Sequence, residues 1–225
     1  MPYQNYGDFG LYAKSSGISS LNLDYHTKKI ESNMTPYVIE ERQLNVTQID
    51  VFSRLLMNRI IWVAGEVNDM MAIIVQAQLM FLDSNDRNDI TMHIDSPGGG
   101  VKSGLSMVDV MEYIHSDIIT VNTGMAASMG SILLGAGAKG KRCSLRYSKT
   151  MLHQSSGGVG GNIQDAEIEM IEWKKENDIL FDLLGRFCNK TPQQVKEDAK
   201  RNLWLSAEDA LSYGIIDEII VKKQN

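Results

Sequence analysis

Short apolar runs of strand type alternate with segments of helical spacing through most of this chain, and only a few residues link each to the next. Ile60-Ile61-Trp62-Val63-Ala64 ends at Gly65, and Asp69 to Asp83 follows with Met70, Ile73, Ile74, Ala77, Leu79, Met80 and Phe81 at helical intervals. Ile90-Thr91-Met92-His93-Ile94-Asp95 reads as the next strand and Lys102 to Ser116 as the next helix. Ile118-Ile119-Thr120-Val121-Asn122 is a third strand. Strand–helix–strand order with short connections implies an α/β fold with largely parallel strands. Further on, short strands are expected near 142–146 and 150–153 and a long helix from Asp165 to Phe187. Thr191-Pro192-Gln193-Gln194 and Ser206-Ala207-Glu208-Asp209 carry helix-start signals, and 215–221 reads as a closing strand. Tyr37 to Glu40 reads as a short strand and Asp50 to Asn58 as a short helix.

The third strand runs into Gly124-Met125-Ala126-Ala127-Ser128-Met129-Gly130-Ser131, and a small-residue helix is expected from about Ser128 to Ala138. That places a serine at the corner of a strand-to-helix turn. The N–H of the following residue lies at a helix start, where it lacks an intrahelical partner and favours negative charge. A nucleophile beside an anion site is what acyl transfer requires. The plainer alternative is a small residue at a tight helix entry, with Ser128 as its cap, since only half of a G-x-S-x-G elbow is present.

Gly98-Gly99-Gly100 sits between a strand and a helix and exposes backbone N–H groups. No Gly-Lys-Ser/Thr follows, so it is not a P-loop, and the dinucleotide spacing is also absent. A loop that donates to an oxyanion and pairs with an extended peptide fits better. A nucleophilic serine needs a base, and the base needs an orienting acceptor. His153 ends the apolar strand Thr150-Met151-Leu152-His153, just before Ser155-Ser156-Gly157-Gly158-Val159-Gly160-Gly161. His93, beside the glycine loop, is the other candidate; His26 lies in the polar N-terminal stretch and His115 at a helix end.

The 225 residues suffice for one large core. A net charge of −6 without a basic block argues against nucleic acid as partner. No apolar run reaches the length of a membrane span, and the N-terminus lacks a signal pattern, so the expected location is cytoplasmic. Cys143 and Cys188 read as reduced core residues. No metal or cofactor is expected. Residues 1–35 are polar and aperiodic and are expected to form a flexible tail or removable pro-segment.

Several motifs in order carry a resemblance: Phe52-Ser53-Arg54-Leu55-Leu56, Ser96-Pro97-Gly98-Gly99, Gly124 to Gly130, Gly137-Ala138-Lys139-Gly140-Lys141-Arg142, Met151-Leu152-His153-Gln154, and Leu205-Ser206-Ala207 through Tyr213-Gly214-Ile215-Ile216-Asp217. From about Pro36 to Val221 the chain resembles the proteolytic subunits of the Clp protease (ClpP). The resemblance implies an α/β fold of ClpP/crotonase type: a spiral of repeated β-β-α units over 36–225, with a projecting handle helix at about 162–190. It implies Ser128 as nucleophile, His153 as general base, and the N–H groups of Gly99 and Met129 as oxyanion hole. It further implies two stacked heptameric rings enclosing the serines, unfolded polypeptide as substrate, and a hexameric AAA+ ATPase as feeding partner. The excess of apolar residues on the handle, Trp173 among them, fits burial against another subunit.

Two departures follow. Where the family carries the triad aspartate, an ungapped count from His153 reaches Asn202, with Asp198 one turn earlier. Either the triad is Ser-His-Asn, as in Cys-His-Asn proteases, or Asp198 reaches the histidine, or the subunit is weakly active alone. Ser-His-Asn with conditional activity is the favoured reading. Thr91 and His93 stand where the family commonly has tyrosines in its ATPase-docking pocket, which leaves open which ATPase docks. The expected function is thus a serine endopeptidase of a self-compartmentalised particle, homomeric or mixed with a paralogue. The alternatives are a catalytically weak ring subunit that assists an active paralogue and a CoA-thioester hydratase of the shared fold.

Overall fold

A parallel sheet accounts for most of the strand-type runs. The computed structural model describes residues 37–42 and 45–222; the expected tail at 1–35 lies outside them. The chain divides into two units, the first ending at Arg54 and the second beginning at Leu55. In the first, β1 (Tyr37–Arg42) pairs antiparallel with β2 (Asn45–Asp50), with Tyr37 opposite Asp50 and Arg42 opposite Asn45. Helix α1 (Val51–Leu56) follows, and the Asp50 carboxylate accepts the Ser53 N–H at 3.0 Å, capping its first turn.

The second unit is built on a seven-stranded sheet: β3 (Ile60–Val67), β4 (Ile90–Gly99), β5 (Ile118–Ala127), β6 (Arg142–Leu145), β7 (Lys149–Leu152), β8 (Leu203–Leu205) and β9 (Glu218–Ile220). The order is β3-β4-β5-β6-β9, all parallel; β7 pairs parallel with β5, and β8 runs antiparallel to β7. The helices are α2 (Asp69–Asn85), α3 (Val101–Tyr113), α4 (Met129–Gly135), α5 (Ile163–Cys188), α6 (Pro192–Asp198) and α7 (Ala207–Tyr213). The core is apolar and continuous: Val63, Leu79, Ile90, Met92, Ile94 and Leu133 are fully buried.

The cap signals act as their chemistry dictates. Thr191 and Gln194 form a reciprocal capping box at α6 with Pro192 in the first turn, and Ser206 and Asp209 form one at α7. Gly214 closes α7 with φ +93°, a left-handed conformation that suits glycine.

Several boundaries differ from the expectations above, α3 ending at Tyr113 and β9 spanning only Glu218–Ile220 among them. Strands β4 and β5 run through Ser96-Pro97-Gly98-Gly99 and Gly124 to Ala127, which read as turns in sequence, because their backbones stay paired at shifted register. Helix α4 is shorter than expected, ending at Gly135 rather than near Ala138. Strands β2 and β8 have no counterpart among the expected elements.

One buried polar cluster ties the far end of the chain to the sheet. Arg142, 2 % exposed, donates from Nε to Asp217 Oδ2 at 2.8 Å and from Nη2 to Asp217 Oδ1 at 2.6 Å. Its remaining donors reach the carbonyls of Phe187 at 2.8 Å and Gly214 at 3.0 Å. Two of the motifs that carry the resemblance, Lys139-Gly140-Lys141-Arg142 and Gly214 to Asp217, therefore meet as one satisfied ion pair. Cys143 and Cys188 are buried and free, and burial pushes the Cys188 thiol up to about 11.

Candidate active site

Three neighbouring parallel strands, β4, β5 and β7, deliver their carboxyl ends to one place. In open α/β sheets that edge is where ligands bind. Strand β4 ends in the glycine loop, β5 in Ser128 and β7 in His153. The register Ala127↔Met151 holds β5 beside β7, and Ser128 N–H donates to the Met151 carbonyl at 2.9 Å. Buried Asn122 locks the same two strands: its Nδ2 donates to the Lys149 carbonyl at 3.0 Å and its Oδ1 accepts the Gly124 N–H at 3.3 Å.

Ser128 stands between β5 and α4 with φ +54°, unusual for a residue with a side chain. Strain of this kind accompanies an exposed nucleophile at a strand–helix elbow. Its carbonyl is held by the N–H of Ser131 at 3.0 Å and by the Ser131 hydroxyl at 2.6 Å. Its own side chain does not cap the helix, so the plain cap alternative fails. Instead, Ser128 Oγ lies 2.7 Å from His153 Nε2.

Burial lowers the His153 pKa from its ordinary 6.5, so the ring is neutral near pH 7. A neutral ring that accepts the serine proton at Nε2 carries its hydrogen on Nδ1. Among the described residues His153 has Ser128 as its one hydrogen-bond partner. Carried one residue beyond Leu152↔Leu203, the β7–β8 register sets Asn202 opposite His153. The Asn202 side chain is exposed and makes no hydrogen bond to the ring in this conformation. Asp198 accepts from the Tyr213 hydroxyl at 3.0 Å.

The glycine loop presses on the elbow. A Cβ on Gly98 would lie 2.6 Å from Ser128 Cβ and 2.9 Å from Met129 N, and one on Gly99 would lie 2.2 Å from the Val67 carbonyl oxygen. Both glycines have positive φ, +95° and +150°, so any side chain is excluded by contact and by backbone conformation together. Buried Ser96 shapes the loop, donating to the Gly65 carbonyl at 2.6 Å and accepting the Gly98 N–H at 3.1 Å. Met129 N–H stands at the first position of α4, where no intrahelical acceptor exists. Together these elements line a cleft of about 450 Å³, with Ile132, Met151, Leu180 and Leu184 as apolar wall. Such a cleft can bind an acyl chain, activate a hydroxyl and receive a developing oxyanion.

The model of the Clp protease family matches residues 42–223. Three relatives named ATP-dependent Clp protease proteolytic subunit align over 96 % of this chain and 99 % of their own length. They come from Bacteroides fragilis (strain YCH46; 46 % identical), Bacteroides thetaiotaomicron (45 %) and Porphyromonas gingivalis (45 %). The chain belongs to the Clp protease family. It is a serine-type endopeptidase with the family's α/β fold. The alternative of hydratase chemistry is thereby set aside.

His93 does not line the cleft. It stacks on Trp62 of β3 with ring centroids 4.8 Å apart, and burial lowers its pKa. Sequence reasoning passed over Ser96, Asn122, Ser131 and Asn177, all ordinary small polar residues whose roles come from the backbone groups they meet in the fold. For Ser96, adjacency to Pro97-Gly98 was the one available signal. Among the described residues no group of His, Cys, Asp and Glu side chains could hold a metal, and no helix is long and apolar enough to cross a membrane.

Proposed function

We propose that Ser128 is the nucleophile and His153 the general base of peptide hydrolysis through an acyl-enzyme. The Ser128 Oγ–His153 Nε2 contact of 2.7 Å at the carboxyl ends of adjacent strands carries this reading. Ser128 Oγ forms a bond to the scissile carbonyl carbon as its proton passes to His153 Nε2. The N–H groups of Gly99 and Met129 receive the oxyanion. His153 then gives the proton to the leaving amine as the C–N bond breaks, and the same ring activates the water that releases the acyl group. Asn202 is the third member, its carboxamide oxygen turning to accept Nδ1–H. The β7–β8 register supports this placement.

The substrate is an unfolded polypeptide, fed by a hexameric AAA+ ATPase into a chamber of two stacked heptameric rings; the relatives' name, that of an ATP-dependent protease subunit, supports this reading. Residues 36–225 form the catalytic domain as a spiral of β-β-α units, residues 1–35 a tail or pro-segment, and the location is cytoplasmic. Helix α5 is the handle. Ile163, Ile168, Ile171 and Ile179 are exposed on it, and Met70 and Ile73 on α2, which supports burial against other subunits. Trp173 does not belong to that free face: it packs on Gly157 and donates to Ser155 at 2.9 Å.

A subunit weakly active alone is the second reading, and the His153 Nδ1, without a hydrogen-bond partner among the described residues, favours it. Purified particle decides between them. Ser128→Ala should retain ring mass and lose peptidase turnover by several powers of ten, on the order of 10⁴ or more. Turnover of the unsubstituted particle already at that residual level would establish the weak subunit.

A further inference from the structure

The chain leaves the sheet after Leu152 and, three residues beyond His153, enters Ser156-Gly157-Gly158-Val159-Gly160-Gly161. Among the described residues, no backbone group from 156 to 161 takes part in a backbone–backbone hydrogen bond. Glycine-rich backbone without a ladder has much conformational freedom to lose. Yet Ser156 lines the catalytic cleft, and 157–159 line an adjoining cavity of about 360 Å³ that shares Val101 and Ser156 with it. The segment is thus an open backbone edge beside the nucleophile, of the kind an extended peptide joins by strand addition.

What fixes its near end is a three-residue clamp. Ser155 N–H donates to Asn177 Oδ1 at 2.9 Å, Ser155 Oγ–H donates to the same oxygen at 3.0 Å, and Trp173 Nε1–H donates to Ser155 Oγ at 2.9 Å. The directions are forced, because a backbone N–H and an indole N–H can only donate. Asn177 must therefore present its oxygen, and the Ser155 hydroxyl passes its hydrogen on to it. Trp173 and Asn177 are one turn apart on α5, on the stripe that continues to Leu180 and Leu184 in the cleft wall. The indole also lies 3.3 Å from where a Gly157 Cβ would stand, so the chain runs across its face.

We propose that Asn177 and Trp173 are positioning residues that act through Ser155, holding residues 156–161 as a preformed edge for an extended peptide substrate. The inference rests on the peptidase reading above and adds to it the residues that hold the backbone beside the cleft. Without the clamp, the edge is ordered only when substrate arrives, and the cost falls on binding rather than on the chemical step.

The test compares a long and a short substrate in the full-length particle. Asn177→Leu removes the acceptor at similar volume. It is expected to raise KM for an internally quenched decapeptide about tenfold, with kcat within about twofold. The rate of Ser128 labelling by a fluorophosphonate, which spans no edge, should stay unchanged. Asn177→Asp keeps an acceptor oxygen and should restore the KM. Trp173→Phe removes one donor, keeps a ring over Gly157, and should raise KM in the same sense; it decides the question if Asn177→Leu does not assemble. Unchanged decapeptide KM in these variants, or an equal loss for decapeptide and fluorophosphonate, would overturn the clamp. Labelling of the unsubstituted particle elsewhere than Ser128 would overturn the nucleophile assignment instead, and the contrast between Asn177→Leu and Asn177→Asp would still judge the clamp.

Discussion

The Tyr213 hydroxyl donates to Asp198 Oδ2 at 3.0 Å, so the carboxylate nearest in sequence to the expected triad position is already engaged away from His153. Asn202 lies one residue beyond the last β7–β8 pair, Leu152↔Leu203, as His153 does on the other strand. Asp198→Ala should therefore leave turnover close to unchanged, while Asn202→Ala should lower it without altering ring mass. Asn202→Asp should raise turnover about tenfold, well within the 10⁴ that the reverse change costs in an enzyme built around aspartate. Paired kcat measurements on the alanine variants in one preparation check the assignment.

The pH profile follows from the state of His153. Burial holds its pKa below 6.5, and the base must be neutral to accept the Ser128 proton. Activity should fall only as pH drops below the ordinary imidazole range, and be full at pH 7. A carboxylate beside Nδ1 favours the charged ring, so Asn202→Asp should move the acid limb upward. The shift is read from kcat/KM against pH.

Much of this was legible in the chain. Ser128, His153 and the glycine loop stood out because each ends a strand-type run, and parallel order brings such ends to one edge. Asn122, Ser131 and Asn177 did not, because a small polar residue announces nothing until the carbonyl or N–H it meets is known. Strand β8 was hidden as well: Leu203-Trp204-Leu205 is short and is defined by its pairing with β7 rather than by pattern. Trp173 was legible as apolar excess on a helix, but its Nε1 bond to Ser155 turns it toward its own cleft.

Assembly should respond to the outward isoleucines. Ile168→Glu with Ile171→Glu places charges on the exposed stripe of α5 and should split the proposed stacked rings, since unpaired charge is costly in an apolar contact. Sedimentation velocity reads the outcome; an unchanged particle would show that this stripe faces solvent.

Stability depends on the Arg142–Asp217 pair. Burial alone would raise the Asp217 carboxyl, but the Arg142 hydrogen bonds hold it below its ordinary value. A depressed carboxylate pKa contributes stability that is present above the ordinary carboxylate range and lost as pH falls through the depressed value. Asp217→Asn leaves Arg142 buried without its counter-charge and should cost about 3 kcal/mol. Denaturant unfolding at pH 7 and pH 3 checks both: the variant's deficit should be large at pH 7 and shrink toward pH 3.

The most direct measurement is the site and dependence of fluorophosphonate labelling in the full-length particle. One adduct per subunit is expected, mapped by peptide mass to Ser128, absent in Ser128→Ala and slowed by orders of magnitude in His153→Ala. An adduct at another serine, or undiminished labelling of Ser128 in His153→Ala, would contradict the pairing of Ser128 with His153 as nucleophile and base.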